Sequence, residues 1–412
     1  MNEMLKKLYG EKAVPMQTER YRKLKENFAA LYGDGQVRLF SAPGRTEVGG
    51  NHTDHNRGRV MAAAVDLDVI AAVRPEEGTV VRVKSEGYPE DVVDISDLSV
   101  HDDEANTSAA LIRGVAAGFK NAGLPVCGFT AYTTSNVLKG SGLSSSAAFE
   151  VLIGTIFSGL CGCDVSAVKI AQIAQYAENV YFGKPSGLMD QMASSVGGFI
   201  TIDFADTENP VIEAIPFDIA ASGHSLCIVD TKGNHADLTP EYAAIPREMK
   251  SVAEFFGKKE LRDVTREQLT ENIAAVREKC GDRAVSRAYH FFDDNDRVLK
   301  EAVALRSGDM DGFLRLVTES GNSSFKYLQN IFASVSPREQ GLVTGLYAAE
   351  NVLGGRGAVR VHGGGFAGTI QAFVPDDLLE RYKAAMEHIF GEGSCYVLSV
   401  RPVGGVEVTG EI

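Results

Sequence analysis

Hydrophobic positions at helical and strand spacing alternate along the first half of the chain. Residues 16–33 carry one apolar face at the helical period and predict an amphipathic helix. Segments rich in β-branched residues predict strands at 37–44, 60–75 and 79–87. Predicted helices at 107–123, 147–160 and 164–183 then alternate with predicted strands at 128–136 and 197–205. This order predicts an α+β architecture rather than a doubly wound parallel sheet.

The second half begins with a predicted buried strand at residues 224–232 and continues with helical patterns over 242–256 and 293–321. Strand-like segments follow at 358–374 and 394–408, each with glycines inside it. Loop-forming residues between 207 and 222 separate the two halves. We therefore predict an N-terminal domain over residues 1–215, which would carry the sugar-binding segment and the phosphate loop, and a C-terminal domain over residues 216–412.

Length, charge and cysteine content narrow the class of protein. A chain of 412 residues exceeds what one hydrophobic core usually supports, and 44% apolar residues are enough for two cores. A net charge of −14 argues against general binding to nucleic acid or to an anionic membrane. The six cysteines lack metal-binding or redox spacing, and we expect reduced thiols. Because no apolar run is long enough for a signal peptide or a membrane span, we expect a soluble, cytoplasmic protein.

A glycine- and serine-rich segment at residues 140–148, GSGLSSSAA, has the composition of a phosphate-binding loop. Gly140 and Gly142 lack the Cβ that would keep a phosphate away from backbone amides. The serines that follow would open the helix predicted at 147–160 and leave its first N–H groups free for an anion. Taken alone, a glycine- and serine-rich segment is more often a flexible loop.

Two further segments extend the pattern: SAPGRTEVGGNHTDHN at 41–56 and VHGGGFAG at 361–368. The segment at 140–148 resembles the second motif of the GHMP sugar and metabolite kinases, and the ordered set is similar to the galactokinases. SGLMDQMASSVGG (186–198) and LRDVTREQL (261–269) add to this resemblance, which covers about residues 32–374. It implies a two-domain GHMP kinase fold, with an N-terminal ribosomal protein S5 domain 2-like part, a C-terminal ferredoxin-like α/β sandwich, and the active site in the cleft.

The resemblance also implies a chemistry, namely transfer of the γ-phosphate of ATP to a small sugar with Mg²⁺ as cofactor. It places the nucleotide at Ser85, Gly140, Ser141, Gly142, Leu143, Ser144, Ser145 and Ser146. The metal would bind Ser146 and Glu178. The sugar would bind Asn51, His52, Asp54, Gly187 and Tyr242. Asp190 corresponds to the catalytic base, and Arg45 to the arginine beside it. Since a neighbouring guanidinium lowers the pKa of a carboxylate, we expect Asp190 to act late, as the new P–O bond forms. We expect His362 to be structural.

Departures from the family pattern concern the sugar. Most galactokinases carry a glutamate where Asn51 stands, a larger apolar residue at Gly49 and a small one at Arg57. An asparagine amide can donate hydrogen bonds to an acidic C6 group, and the run GNHTDH also resembles plant galacturonokinases. Galactose is the leading substrate, with galacturonate or another C6-altered hexose as the alternative. A non-catalytic sugar sensor is a further alternative, against which the set Arg45, Ser146, Ala147, Glu178 and Asp190 argues.

Overall fold

The computed structural model describes residues 3–137, 142–233 and 238–410. Gly140 and Ser141 of the predicted phosphate loop lie outside the described residues. The strands of the first half are β1 (Arg38–Gly49), β2 (Arg59–Glu76), β3 (Val80–Ser85), β4 (Glu90–Asp94), β5 (Gly128–Ser135), β6 (Phe199–Asp203) and β7 (Val211–Ile215). Those of the second half are β8 (His224–Asp230), β9 (Ala358–His362), β10 (Thr369–Pro375), β11 (Cys395–Leu398) and β12 (Val406–Glu407).

The described strands form two sheets. The larger has the order β12-β1-β2-β5-β3-β4, with β6 paired to the start of β2 and β7 paired to β6. Its pairings are antiparallel except that of β3 with β5, which is parallel. The smaller sheet, β11-β8-β10-β9, is antiparallel throughout. The prediction of an α+β architecture is therefore confirmed.

Helices cover both sheets. Those of the first half are α1 (Glu3–Tyr9), α2 (Val14–Tyr32), α3 (Ser108–Asn121), α4 (Ser145–Leu160), α5 (Ala167–Tyr176) and α6 (Met189–Val196). The second half contributes α7 (Thr239–Phe255), α8 (Arg266–Glu271), α9 (Ile273–Cys280), α10 (Asp282–Ser307), α11 (Met310–Ser323), α12 (Gly341–Leu353) and α13 (Leu379–Phe390). Two π-helical turns, Ala177–Phe182 and Ser324–Leu328, extend α5 and α11.

One apolar core runs between the two sheets. Phe157 of α4 packs beneath the larger sheet, and Phe313 of α11 contacts Phe373 of β10 edge to face, with ring centroids 5.1 Å apart. Helix α4 is buried over most of its length because its sequence is apolar on every face. This burial fixes the start of α4, where the serine-rich segment lies.

The predicted domain division at residues 215 and 216 falls between β7 and β8, where the chain passes from one sheet to the other. The last strand does not follow this division, because β12 pairs with β1 in the larger sheet. The division into two domains stays a prediction.

A buried carboxylate fastens both ends of the chain to the larger sheet. Asp68 of β2 accepts hydrogen bonds from Ser41 Oγ at 2.5 Å and Arg401 Nη1 at 3.0 Å, and from the hydroxyl of Tyr9. Arg20 Nη1 lies 2.5 Å from its other oxygen. Although burial raises the pKa of Asp68, the charges of Arg20 and Arg401 lower it below its ordinary value, so the carboxylate stays ionised.

Candidate active site

Asp190 lies in the first turn of α6 and is held from two sides. Arg45 of β1 places Nε 2.8 Å and Nη2 2.7 Å from Asp190 Oδ1. Ser144, immediately before α4, donates its hydroxyl to Asp190 Oδ2 at 2.6 Å. Ser144 adopts the left-handed conformation with φ 57°, which is uncommon for a residue other than glycine. The structure therefore joins the serine-rich segment to the predicted catalytic pair.

The pKa of Asp190 reflects two opposing influences. Burial raises it, but the charge of Arg45 and the hydrogen bonds from Arg45 and Ser144 outweigh burial and lower it below its ordinary value. The side chain nevertheless keeps 26% of its surface exposed, whereas that of Arg45 keeps only 9%. An ionised carboxylate is thus open on one side, and its role as the base stays a prediction.

Glu178 lies on the π-helical turn after α5, with its carboxylate almost completely buried. Oε1 accepts from Ser146 Oγ at 3.0 Å and pairs with Lys184 Nζ at 2.7 Å. Oε2 accepts from Ser186 Oγ at 2.5 Å and from Gln191 Nε2 at 2.9 Å. The Ser146 hydroxyl and the Glu178 carboxylate are hard oxygen donors, the kind that Mg²⁺ takes together with water and phosphate oxygens. The donor set fits a magnesium ion, and Lys184, whose side chain is 53% exposed, pairs with the oxygen that would hold it.

The described part of the predicted phosphate loop, Gly142 onward, lies against the smaller sheet. A Cβ on Gly142 would come 3.1 Å from His362 Nδ1, and the φ of Gly142 is +73°. His362 is buried and shares hydrogen bonds with Thr46 Oγ1 at 3.0 Å and Thr369 Oγ1 at 2.9 Å. The glycine is needed for this close approach between the loop and the segment 361–368.

The start of α4 offers an anion-binding end. Ser145 and Ser146 begin the helix, where the first N–H groups have no carbonyl one turn earlier to bind. Leu143 is buried, and its carbonyl accepts from the backbone N–H of Arg45 at 3.0 Å. Ser85, at the end of β3, accepts a hydrogen bond from Thr133 Oγ1 at 2.9 Å, and its nucleotide role stays a prediction.

The predicted sugar segment follows β1 and faces the glycine turn between β9 and β10. His52, at φ 58°, has Nε2 3.0 Å from Gly364 O, and burial lowers the pKa of His52 to about 4, so the ring is neutral at pH 7. Tyr242 of α7 donates its hydroxyl to Gly365 O at 2.9 Å. One turn thus supports two of the predicted sugar-binding side chains.

Asp54 and Gly187 are in direct contact. A Cβ added to Gly187 would lie 2.3 Å from Asp54 Oδ2, so any larger residue at this position would have to displace the carboxylate. Burial raises the pKa of Asp54 to about 6, and the charge of Asp190 adds to this increase. Gly187 is itself exposed, so the absence of a side chain there leaves room beside the Asp54 carboxylate.

Asn51 is placed differently from what the sequence predicts. Its side chain is buried, with 1% of its surface exposed, and its amide is bonded to the protein at every donor and acceptor position. Nearby, a Cβ on Gly49 would lie 2.0 Å from Oε2 of Glu301. Among the residues that the structure describes, neither carboxyl oxygen of this fully buried glutamate has a hydrogen-bond partner. Burial raises the pKa of Glu301 to about 8, with the charge of Asp294 adding to this and that of Arg360 opposing it.

Sequence reasoning missed the residues that support Glu178. Gln191, one residue after Asp190, donates from Nε2 both to Glu178 and, at 3.0 Å, to Glu150 Oε2. Glu150 of α4 is fully buried, and burial, with the charge of Glu178 as a second cause, raises the pKa of Glu150 well above its ordinary value. A lone acid four residues after Ser146, on an otherwise apolar helix, is the signal that could have revealed it.

Among the described residues, no cluster of three or more histidine, cysteine, aspartate or glutamate side chains could hold a metal by itself. Metal binding by Ser146 and Glu178 stays a prediction. None of the helices in the described ranges is long and apolar enough to cross a membrane.

Comparison with known proteins agrees with this geometry. The galactokinase galactose-binding signature matches residues 26–75, and the GHMP kinase N-terminal domain matches residues 110–198. The fold is similar to that of a solved mevalonate kinase, with a TM-score of 0.63 and 13% identity over 88% of this chain and 98% of that one. It is also similar to the Lactococcus lactis galactokinase solved with galactose, with a TM-score of 0.79 and 24% identity over 94% and 99%. Fold and site together define a GHMP kinase, a class that uses ATP with a metal ion.

Curated relatives narrow the class. A galactokinase of Streptomyces coelicolor is 33% identical over 369 residues, which are 89% of this chain and 92% of that protein. A galactokinase of Actinobacillus pleuropneumoniae is 32% identical over 366 residues, covering 87% and 90%. The chain therefore belongs to the galactokinase family of ATP-dependent sugar kinases.

Proposed function

We propose that the protein transfers the γ-phosphate of ATP to the anomeric hydroxyl of galactose, giving α-galactose 1-phosphate and ADP. The observation that carries this proposal is the position of Asp190, which Ser144 at the start of α4 and Arg45 hold beside the anion-binding end of that helix. A carboxylate and a phosphate-binding helix end at one place are the parts that transfer to a hydroxyl requires. The relatives reported above give no support to galacturonate or to a sensor role.

In this proposal the N–H groups at the start of α4 hold the phosphates of ATP, and Gly142 allows their close approach. Ser146 and Glu178 hold Mg²⁺, which neutralises phosphate charge when bound. Asp190 accepts the proton of the anomeric hydroxyl late in the reaction, because its lowered pKa makes it a weak base beforehand. Arg45 keeps the carboxylate in place and stabilises the developing negative charge.

For the sugar, we propose that Asp54 accepts hydrogen bonds from neighbouring hydroxyls and that His52, whose one N–H is held by Gly364 O, takes part through Nδ1 as an acceptor. Gly187 leaves room beside Asp54, and Tyr242 forms one wall with its ring packed on Phe366 at a centroid distance of 5.3 Å. A cytoplasmic location stays a prediction from the sequence.

The test is ADP release by the purified protein with ATP and Mg²⁺, across galactose, galacturonate, glucose, N-acetylgalactosamine and arabinose, with a sugar-free control. Fast turnover with galactose is the expected result, and ³¹P spectroscopy should identify an anomeric phosphate as the product. Faster turnover with galacturonate would overturn the substrate assignment. Sugar binding by calorimetry with no turnover of any sugar would support a sensor instead.

A further inference from the structure

The amide of Asn51 has no hydrogen-bonding capacity left for a ligand. Nδ2 donates to Glu47 Oε1 at 2.8 Å and to Gly363 O at 2.8 Å, while Oδ1 accepts from Asn330 Nδ2 at 2.8 Å and Ser324 Oγ at 3.2 Å. An asparagine side chain offers two donor hydrogens and two acceptor lone pairs, so all four are used. The orientation of the amide is fixed, because Gly363 O can only accept.

The backbone of Asn51 is bonded just as completely. Its N–H donates to Asp294 Oδ2 at 2.9 Å, and its carbonyl oxygen lies 2.9 Å from His290 Nε2, both on α10. His290 and Asp294 are themselves fully buried. One residue at the end of β1 is therefore fastened to α10, to the segment after α11 and to the glycine turn between β9 and β10.

That glycine turn also supports the sugar site. Gly363 accepts from Asn51, and the next two residues contact His52 and Tyr242, at 3.0 Å from Gly364 O and 2.9 Å from Gly365 O. Asn330 reinforces the arrangement by donating to Gly364 O at 3.2 Å. Any shift of Asn51 relative to Gly363 would thus move the supports of both side chains.

We propose that Asn51 is a positioning residue, whose amide locks residues 51–54 to the glycine turn 363–365 and does not itself contact the sugar. This inference rests on the proposed function, since it concerns binding of the same sugar. It differs from the sequence-based expectation that the amide of Asn51 forms a hydrogen bond with the C6 group of the sugar. To form that bond, the C6 group would have to displace one of the buried protein partners of the amide.

The Glu47–Asn51 contact offers an isosteric test. Asn51→Asp keeps the size of the side chain and both of its acceptor contacts. It replaces the amide nitrogen, which donates to Glu47 and to Gly363 O, with a carboxylate oxygen that cannot donate. Glu47 also pairs with buried Arg360, Nη2 to Oε1 3.1 Å, and burial raises the pKa of Glu47 to about 7, so the new carboxylate lies beside a buried acid. In Glu47→Gln/Asn51→Asp the acid and the amide are exchanged, which restores one donor–acceptor contact. We expect kcat/KM for galactose to fall about 10- to 100-fold in the single variant, as for loss of buried donors, and to recover in part in the double variant.

A substrate lacking the 6-hydroxyl, 6-deoxygalactose, separates positioning from direct contact. If Asn51 only positions the site, Asn51→Asp lowers kcat/KM by the same factor for galactose and for 6-deoxygalactose, within about twofold. A loss seen with galactose but not with 6-deoxygalactose would show direct contact and overturn the proposal. Where turnover of the deoxy sugar is too slow, its dissociation constant from calorimetry takes the place of kcat/KM.

Two controls complete the experiment. Asn351→Asp, on an exposed part of α12, adds the same charge away from the site and should leave both sugars unaffected. The KM for ATP should stay constant while the sugar parameters change, measured where circular dichroism shows each variant folded. A lower melting temperature with unchanged sugar parameters would make Asn51 merely structural and overturn the proposal. The wild-type rates test the proposed function separately, and a wild type that neither phosphorylates nor binds either sugar would overturn both.

Discussion

Gly187→Ala is the most direct probe of the sugar site, because it adds one methyl group against a single carboxylate. The new Cβ would lie 2.3 Å from Asp54 Oδ2, whereas real Cβ atoms essentially never approach another heavy atom within 3.0 Å. Asp54 must therefore move by at least about 0.7 Å from its present position. Gly187 is exposed and its φ lies outside the left-handed region, so alanine brings no backbone strain.

The magnitude follows from the positional tolerance of catalysis. Misplacing a reacting group by about 1 Å can cost on the order of 100-fold in rate, so we expect kcat/KM for galactose to fall 10- to 100-fold. Because the three heavy atoms nearest the new methyl group all belong to Asp54, the KM for ATP should change by less than about twofold. The melting temperature should stay near that of the wild type, since surface substitutions usually change stability by about 0.5 kcal/mol or less.

The assay is steady-state ADP release with galactose and ATP varied in turn. Gly35→Ala is the matched control, because its nearest neighbours would lie 3.8 Å from the new methyl group and the position is exposed. Wild-type kinetics in Gly187→Ala would refute the reasoning, since Asp54 would then either move freely or have no part in binding the sugar.

Three further predictions concern charged groups. Asp190→Asn should lower kcat by at least about 100-fold through loss of the base while ATP affinity by calorimetry stays nearly unchanged; near-normal kcat would remove its assigned role. Asp68→Asn should lower the free energy of unfolding in urea by about 3–5 kcal/mol, because Arg401 is left buried without its counter-charge; a loss below about 1 kcal/mol would contradict this. Burial raises the pKa of Glu301 from 4.5 to about 8, so its protonated form stabilises the folded state most at low pH. The free energy of unfolding of the wild type should therefore fall, relative to that of Glu301→Gln, as pH rises from about 4.5 to 8. The difference in the free energy of unfolding between the two proteins should change by about 1.4 kcal/mol per pH unit at its steepest. Parallel curves of stability against pH would contradict the raised pKa of Glu301.

Much of the fold could be predicted from hydrophobic spacing. The helix predicted at 16–33 is α2 at Val14–Tyr32, and the strand predicted at 60–75 is β2 at Arg59–Glu76. The pairing of β12 with β1 could not be predicted, because a two-residue strand carries no periodic signal. Strand partners also depend on contacts between residues hundreds of positions apart, which local patterns do not record.

The candidate site shows a similar division between what motifs reveal and what they do not. The resemblance placed Arg45 with Asp190 and Ser146 with Glu178, and the structure brings both pairs into contact. The motif could not show the burial of Asn51, because its partners come from α10, residues 324–330 and the glycine turn. Saturation of a hydrogen-bonding side chain is a property of all its neighbours together, and no sequence window contains them.

Arg45 makes the phosphate loop and the proposed base interdependent. Its backbone N–H binds Leu143 O at 3.0 Å and its Nη1 binds Gly142 O, while Nε and Nη2 hold Asp190. Ser144, which belongs to the same loop, donates its hydroxyl directly to Asp190. The planar guanidinium of an arginine has five N–H donors and can donate to the loop and to the carboxylate at the same time. The single ammonium nitrogen of a lysine cannot reach both acceptors with good geometry. If a bound phosphate displaced the predicted loop, Arg45 and Ser144 would move with it and shift the carboxylate of Asp190. Nucleotide binding would in this way be coupled to the position of the proposed base.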